Sequence, residues 1–350
     1  MIVDRRAACF GIAAAAFGGG AFAETALDAE KIVGAAAQAV RANYVDPGKA
    51  DALAGQMLQR LEAGAYQTQN PEELAARLTA DLREWTDDLH MDVFYAPPTP
   101  QPIQDKSKLT EDEDHPRTTG WGVQTVARLA GNVGLWRLTH FPSPPHWVAH
   151  KYAAAMELLS DTSALIIDLS INHGGGEDTC AFFLSYFFDC KTELGRVKFR
   201  GRPEEISTTT STAPGPRYGE GRPIFVAISG QTFSAGEAVA WQLKRLRGAT
   251  LVGERTKGGA NLGDVFDLPD NFKIFIVTGR SMEPTWEGTG VAPDIEVTPA
   301  RSVATAHELA LKALMSGENT ELRAQILRNV EAGSIENLSS FDFDTFKRKR

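Results

Sequence analysis

The chain predicts a mixed α/β (α+β) fold, with a small helical domain ahead of an α/β core. Three observations carry that expectation. Two near-continuous apolar runs, Ser163 to Leu169 and Pro223 to Ser229, have the composition of strands buried on both faces. Each passes through a glycine-bearing turn into a segment with helical spacing. Ahead of them, residues 27–85 show helical periodicity throughout.

The helical part has clear signals. Ala37, Val40 and Tyr44 fall on one helical face, as do Leu53, Met57, Leu58 and Leu61. Asn70-Pro71-Glu72-Glu73 combines a capping asparagine, a first-turn proline and two glutamates at the positive end of the helix dipole. Residues 24–95 are therefore expected to form the helical domain. His90 stands where that helix ends and an apolar run suited to a strand begins. Beside Asp87 and Asp88 it reads either as a base held by a carboxylate or as a solvated surface histidine.

Residues 96–117 are rich in proline and acidic side chains, the composition of a linker or lid. The core is expected over 118–316, with a C-terminal tail over 317–350. It begins with short β-rich runs, Gly122 to Leu129 and Val133 to Leu138. His140, His146 and His150 are interrupted by prolines and lack interleaved carboxylates, so no metal site is expected there. Later elements are a short strand at Thr250 to Gly253, a hairpin around Pro269-Asp270-Asn271 and a final helix at Ala304 to Leu314.

Composition narrows the functional classes. At 350 residues, with 43% hydrophobic and 23% charged content, the chain can bury a full core. A net charge of -9 argues against nucleic acid as the main partner, since phosphate binding needs a basic face. Arg5-Arg6, the apolar stretch Ala7 to Phe17 and Ala21-Phe22-Ala23 form an export-signal pattern (residues 1–23), with cleavage expected after Ala23. No apolar run reaches the roughly 20 residues that span a bilayer. The expected location is periplasmic or secreted, with the twin-arginine route as an option. Cys180 and Cys190 are then the remaining cysteines, either bridged or free, and a zinc site is not expected from two cysteines without paired histidines.

The chemistry concentrates on two turns. Asn172-His173-Gly174-Gly175-Gly176 follows the first buried strand, and its glycines let backbone amides turn toward a developing oxyanion or simply make a tight turn. Thr232-Phe233-Ser234-Ala235-Gly236-Glu237 follows the second. Ser234 to Glu237 fits a capping box, and it equally presents a serine hydroxyl at a helix N-terminus, where the Ala235 amide and the local field favour an oxyanion. A Gly-x-Ser-x-Gly esterase elbow is disfavoured because Thr232 replaces its first glycine.

Taken in order, Asp168 through Gly176, Thr232 through Glu237, Gly253-Glu254-Arg255-Thr256 and Gly290-Val291-Ala292-Pro293-Asp294 resemble the tail-specific serine peptidases, family S41. The resemblance covers about half the chain and implies a ββα-spiral core of the Clp protease and crotonase type. It also implies a peptide or unfolded-protein substrate and no cofactor. In the C-terminal-processing branch a lysine follows the Gly-Glu-x-Thr motif; here Gly259 takes the matching place, leaving Lys257 as a reserve base. The helical domain and linker run directly into the core, with no PDZ module. The chain is more similar to the branch of tricorn protease and the interphotoreceptor retinoid-binding modules. By that resemblance Ser234 is the nucleophile, His90 the base and Glu287 the residue that orients it, with Gly174 or Gly175 and Ala235 forming the oxyanion hole. The retinoid-binding modules imply an alternative, a non-catalytic carrier of hydrophobic ligands or peptides on the same fold.

Overall fold

The computed structural model describes residues 27–97, 117–202, 205–282, 285–315 and 320–332. The segments expected to form an export signal, nearly all of the expected linker and most of the expected tail lie outside the described residues.

Three helices open the chain, α1 (Ala29–Asn43), α2 (Pro47–Glu62) and α3 (Pro71–Thr86). Each starts on a side-chain cap: Asp28, Asp46 and Asn70 accept amides of their own first turns, and proline opens α2 and α3. Their apolar faces meet in one cluster that includes Ile32, Val40, Met57, Leu74 and Leu78. The same cluster takes in Phe272, Ile274, Ile276 and Val277, so the helices pack on a sheet formed largely by the far end of the chain.

That sheet has the order β1 (Asp92–Tyr95), β10 (Phe272–Ser281), β5 (Glu193–Phe199), β6 (Glu205–Thr209), with β9 (Leu262–Asp267) also paired to β10. β1 runs antiparallel to β10 with Val93 opposite Ile274. This pairing carries His90, two residues before β1, to the core. Arg200 reinforces the junction by donating to the carbonyls of Tyr44 at 2.6 Å and Arg41 at 3.0 Å. The β9–β10 turn is the hairpin expected around Pro269, with Asp270 and Asn271 both at positive φ. β5 and β6 were not legible from sequence. Their pairing is interrupted by a register shift between Glu193 and Gly195, which breaks the alternation that would mark a strand.

The second sheet has the order β11 (Ile295–Glu296), β8 (Thr250–Gly253), β7 (Ile224–Ile228), β4 (Ala164–Asp168), β3 (Val133–Leu138), β2 (Val123–Leu129). All of its pairs are parallel except β2–β3. Every residue of β4 and β7 is buried. Leu165, Ile167, Val226 and Ile228 face α4 (Ala149–Leu159), α5 (Glu177–Leu184) and α6 (Ala235–Arg247). Ala164, Ile166 and Phe225 face α7 (Pro299–Ala313) and α8 (Thr320–Glu331). Helices on both faces explain why the two strands read as continuous apolar runs. Each of the Leu, Ile, Val and Phe side chains among them contributes roughly 1.5–3 kcal/mol by leaving water. The overall architecture is the mixed helix-and-sheet one expected, N-terminal helices followed by an α/β core.

Cys180 is buried and Cys190 exposed, and both are free thiols; no disulfide joins them. No helix among the described residues is long and apolar enough to cross a membrane.

Candidate active site

In parallel sheets the strand C-termini and the loops leaving them form the crevice where ligands bind. Here the loops after β4, β7 and β8 converge at that edge, bringing together the glycine loop, the Ser234 turn and the Gly253–Thr256 motif.

Ser234 has φ 52° and ψ −119°. A non-glycine residue rarely adopts positive φ, and a strained strand-to-helix turn of this kind is how a nucleophilic serine is pushed out of a sheet. Glu237, fully buried, holds the turn: its carboxylate accepts the amides of Ser234, Gly258 and Gly259, each at 2.8 Å, together with the Thr256 hydroxyl. Burial pushes the Glu237 carboxyl above the ordinary glutamate value, and those four hydrogen bonds pull it back in part. The glutamate half of the expected capping box is therefore present, extended to a second loop.

The glycine loop is locked to the same turn by Asn172, which is fully buried. Its Oδ1 accepts the Gly174 amide at 2.9 Å, its Nδ2 donates to the Leu138 carbonyl at 3.1 Å, and its own carbonyl accepts the Phe233 amide at 3.0 Å. A Cβ at Gly174, whose φ is +100°, would stand 2.9 Å from the Cβ of Ser234, so only glycine permits this approach. Between the two candidate oxyanion donors the geometry discriminates. The Gly174 amide is occupied by Asn172, whereas Gly175 lines the cavity and its amide has no partner among the described residues. Ala235 opens α6 and also lines the cavity, its amide being one of those a helix start leaves unpaired.

His90 is buried, with 6% exposure, and lines the same cavity as Ser234, a space of about 800 Å³. Its ring lies between Phe233, at a centroid distance of 4.6 Å, and Phe275 of β10, at 5.8 Å. Asp88 grips it twice: Oδ1 accepts the His90 amide at 2.9 Å and lies 3.2 Å from Nδ1. Nε2 is buried without a hydrogen-bond partner among the described residues, Ser234 Oγ included.

The carboxylate in contact with His90 is thus Asp88. Glu287 sits behind it. Its Oε2 accepts the amides of Ala260 at 2.6 Å and Asn261 at 2.9 Å, and Asn261 Nδ2 donates to Asp88 Oδ2 at 2.8 Å. Glu287 therefore reaches His90 through Asn261 and Asp88. Burial raises the Asp88 carboxyl, but hydrogen bonds from the His90 ring, Asn261 and the His90 amide outweigh it and hold the group below the usual aspartate range. Burial and the Asp88 charge push Glu287 the other way, upward. Asp88, His90 and Glu287 also form a cluster with donor atoms within 4.8 Å of one another, though the Nδ1–Asp88 contact and the two amides on Glu287 already engage one donor atom of each residue.

Lys257 is exposed and outside the cavity lining, with its ammonium 4.6 Å from the centre of the Phe233 ring. Sequence reasoning did not single out Asn172 or Asn261, and it treated Asp88 only as one of two neighbouring aspartates. The Asp-x-His spacing was the available signal for Asp88. Asn261 had none, since its partner Asp88 is remote in the chain, and for Asn172 only the bond to Gly174 is local, its contacts with Leu138 and Phe233 being remote. Asp168 and Asp294, prominent in the motifs, brace the core: Asp168 accepts from Ser170 and pairs with Arg137, and Asp294 accepts the Leu251 amide and pairs with Lys244.

Peptidase family S41 matches residues 132–297, and the N-terminal domain of Peptidase_S41 in eukaryotic IRBP matches residues 23–119. The chain belongs to peptidase family S41. The carboxy-terminal-processing protease of Bartonella bacilliformis is 28% identical over 178 residues, which cover 49% of this chain and 40% of that protein. The chain thus aligns with less than half the length of that relative. Two solved structures share the fold. The photosystem II D1 C-terminal processing protease superposes with a TM-score of 0.50 at 15% identity, over 84% of this chain and 99% of that one. The tricorn protease gives 0.52 at 14% identity, over 84% of this chain and 37% of that one.

Two consequences of this geometry are measurable. Glu237→Gln replaces one acceptor oxygen by a donor facing buried amides, and should lower stability by about 2–4 kcal/mol in urea unfolding; an unchanged midpoint would show that the four bonds do not hold the turn. For Asp88 the depressed folded value means its contribution is present above the unfolded value of about 3.9 and is lost as pH falls through the folded one. The stability gap between wild type and Asp88→Asn should therefore be widest near neutrality and narrow below pH ~4. A gap constant across that range would contradict it.

Proposed function

We propose that this chain is an exported serine peptidase in which Ser234, His90 and a carboxylate pair, Asp88 and Glu287, act together. The observation that carries the reading is the strained Ser234 turn, opening on the same cavity as a buried histidine whose Nε2 is unengaged. A serine hydroxyl is a poor nucleophile without an adjacent base, and catalytic hydrogen bonds tighten when substrate closes the site.

In the acylation step Oγ of Ser234 bonds to the scissile carbonyl carbon while its proton passes to Nε2 of His90. Asp88 keeps Nδ1 protonated and stabilises the imidazolium, with Glu287 bracing it through Asn261. The negative charge on the carbonyl oxygen is received by the Gly175 amide of the glycine loop and the Ala235 amide at the start of α6. When the carbon–nitrogen bond breaks, His90 returns the proton to the leaving amine. Water then gives a proton to His90 as it bonds to the acyl carbon, and the carbon–Oγ bond breaks as His90 returns that proton to Ser234. The carboxy-terminal-processing relatives support a peptide or unfolded-protein substrate. Lys257, held over Phe233, is left as a surface cation in this scheme.

A second reading, a carrier of hydrophobic ligands, is favoured by the match of residues 23–119 to a domain described from IRBP. A fluorophosphonate probe separates the two. Labelling at Ser234 that disappears in Ser234→Ala and falls at least ~100-fold in His90→Ala supports the peptidase. Wild-type protein that resists the probe yet binds retinoid tightly would support the carrier. Wild-type labelling rates in His90→Ala, with loss in Lys257→Ala, would move the base to the lysine.

Export rests on the residue 1–23 pattern. Protein recovered from a bacterial periplasm should begin at Glu24 by mass spectrometry. Retention of Met1 on active protein in the cytoplasm would refute processing.

A further inference from the structure

Gly259 needs no glycine for its backbone, since it is not among the residues at positive φ. It needs one for space. A Cβ built there would stand 2.5 Å from Cε1 of His90 and closer still to Cε2 of Phe233, inside the 3.0 Å that real Cβ atoms essentially never breach. The backbone cannot retreat, because it is pinned on both sides: the Gly259 amide donates to Glu237 at 2.8 Å, and its carbonyl accepts Nε1 of Trp286 at 3.0 Å. Nor can the rings withdraw easily. Phe233 immediately precedes Ser234, and His90 is held by Asp88 on one side and flanked by Phe275 on the other.

We infer that Gly259 is a positioning residue for the base, the floor of a slot that seats the stacked His90 and Phe233 rings. The inference rests on the reading of His90 as the base for Ser234. It adds that the imidazole is placed by an absent side chain as much as by Asp88. The slot holds one group at a time: a side chain launched from 259 and the His90 ring compete for the same volume. Glu237 links this floor to the nucleophile turn, since one carboxylate oxygen accepts both the Ser234 and the Gly259 amides. Floor and nucleophile are thereby kept in register.

The test compares Gly259→Ala in two backgrounds. With a fluorophosphonate, the Ser234 oxygen–phosphorus bond forms as fluoride leaves and the hydroxyl proton passes to the base, so the maximal inactivation rate reads the base and the half-saturating concentration reads the cavity. Gly259→Ala should lower that rate on the order of 100-fold, the cost of misplacing a catalytic group by about 1 Å, with less than about a threefold change in half-saturation. A merely structural role would move both. In melting experiments Gly259→Ala should lower the midpoint markedly in the wild-type background. The effect should be clearly smaller in His90→Ala, where the vacated imidazole volume admits the methyl or a shifted Phe233. A Gly259→Ala protein that folds only together with His90→Ala would be the same result in extreme form. A wild-type inactivation rate in Gly259→Ala, or equal melting losses in both backgrounds, overturns the inference. The reading of His90 as base fails separately, through an unchanged rate in His90→Ala with Gly259 intact.

Discussion

One buried carboxylate organises the site. Glu237 has no exposure and collects four donors from two separate loops, three amides and a hydroxyl. Burying a carboxylate is unfavourable unless it is hydrogen-bonded, and the two oxygens here are each doubly engaged. The bonds fix the amide of Ser234, and with it a backbone conformation that serine would not otherwise hold. They also fix the Thr256–Gly259 strand exit, against which the histidine is seated. Remove the carboxylate, and Ser234 and the floor beneath His90 lose their common reference.

Around that hub the site draws on both sheets. The parallel sheet supplies the Ser234 turn and the glycine loop from adjacent strand ends, which is where such sheets present loops to ligands. The antiparallel sheet supplies His90. Because β1 pairs with β10, the residue just ahead of β1 is carried to Phe275, and thence against Phe233. The N-terminal helices bury their apolar faces on that sheet, so they anchor the segment that delivers His90. A helical segment with no chemistry of its own thus has a role in placing His90.

The carboxylates around His90 divide their work by environment. The Asp88 carboxyl, with hydrogen bonds from the ring, the amide and Asn261, is held below the usual aspartate range; that of Glu287, buried and close to the Asp88 charge, is raised. Asp88 lies directly against Nδ1, where a charge would stabilise an imidazolium.

Much of this was legible in the amino-acid order alone. Continuous apolar runs marked β4 and β7, an asparagine–proline start marked α3, and glycines and a capping pattern marked the two loops, because each signal is local: periodicity, backbone freedom or a cap three residues away. The family motifs in order assigned Ser234 the nucleophile role. The tertiary structure alone decided which partners these residues have. Asn261 and Asp88 meet across 173 residues of chain, and no spacing rule reaches that far. That Asp88 rather than Glu287 touches His90, that Gly175 rather than Gly174 keeps its amide free, and that Lys257 rests on the outside of Phe233 all depend on side-chain packing between loops of different sheets. The stretch Thr232 to Glu237 shows the division plainly. Sequence placed a serine and a glutamate at a helix start, and only the fold made that glutamate the anchor of a second loop and of the slot that holds His90.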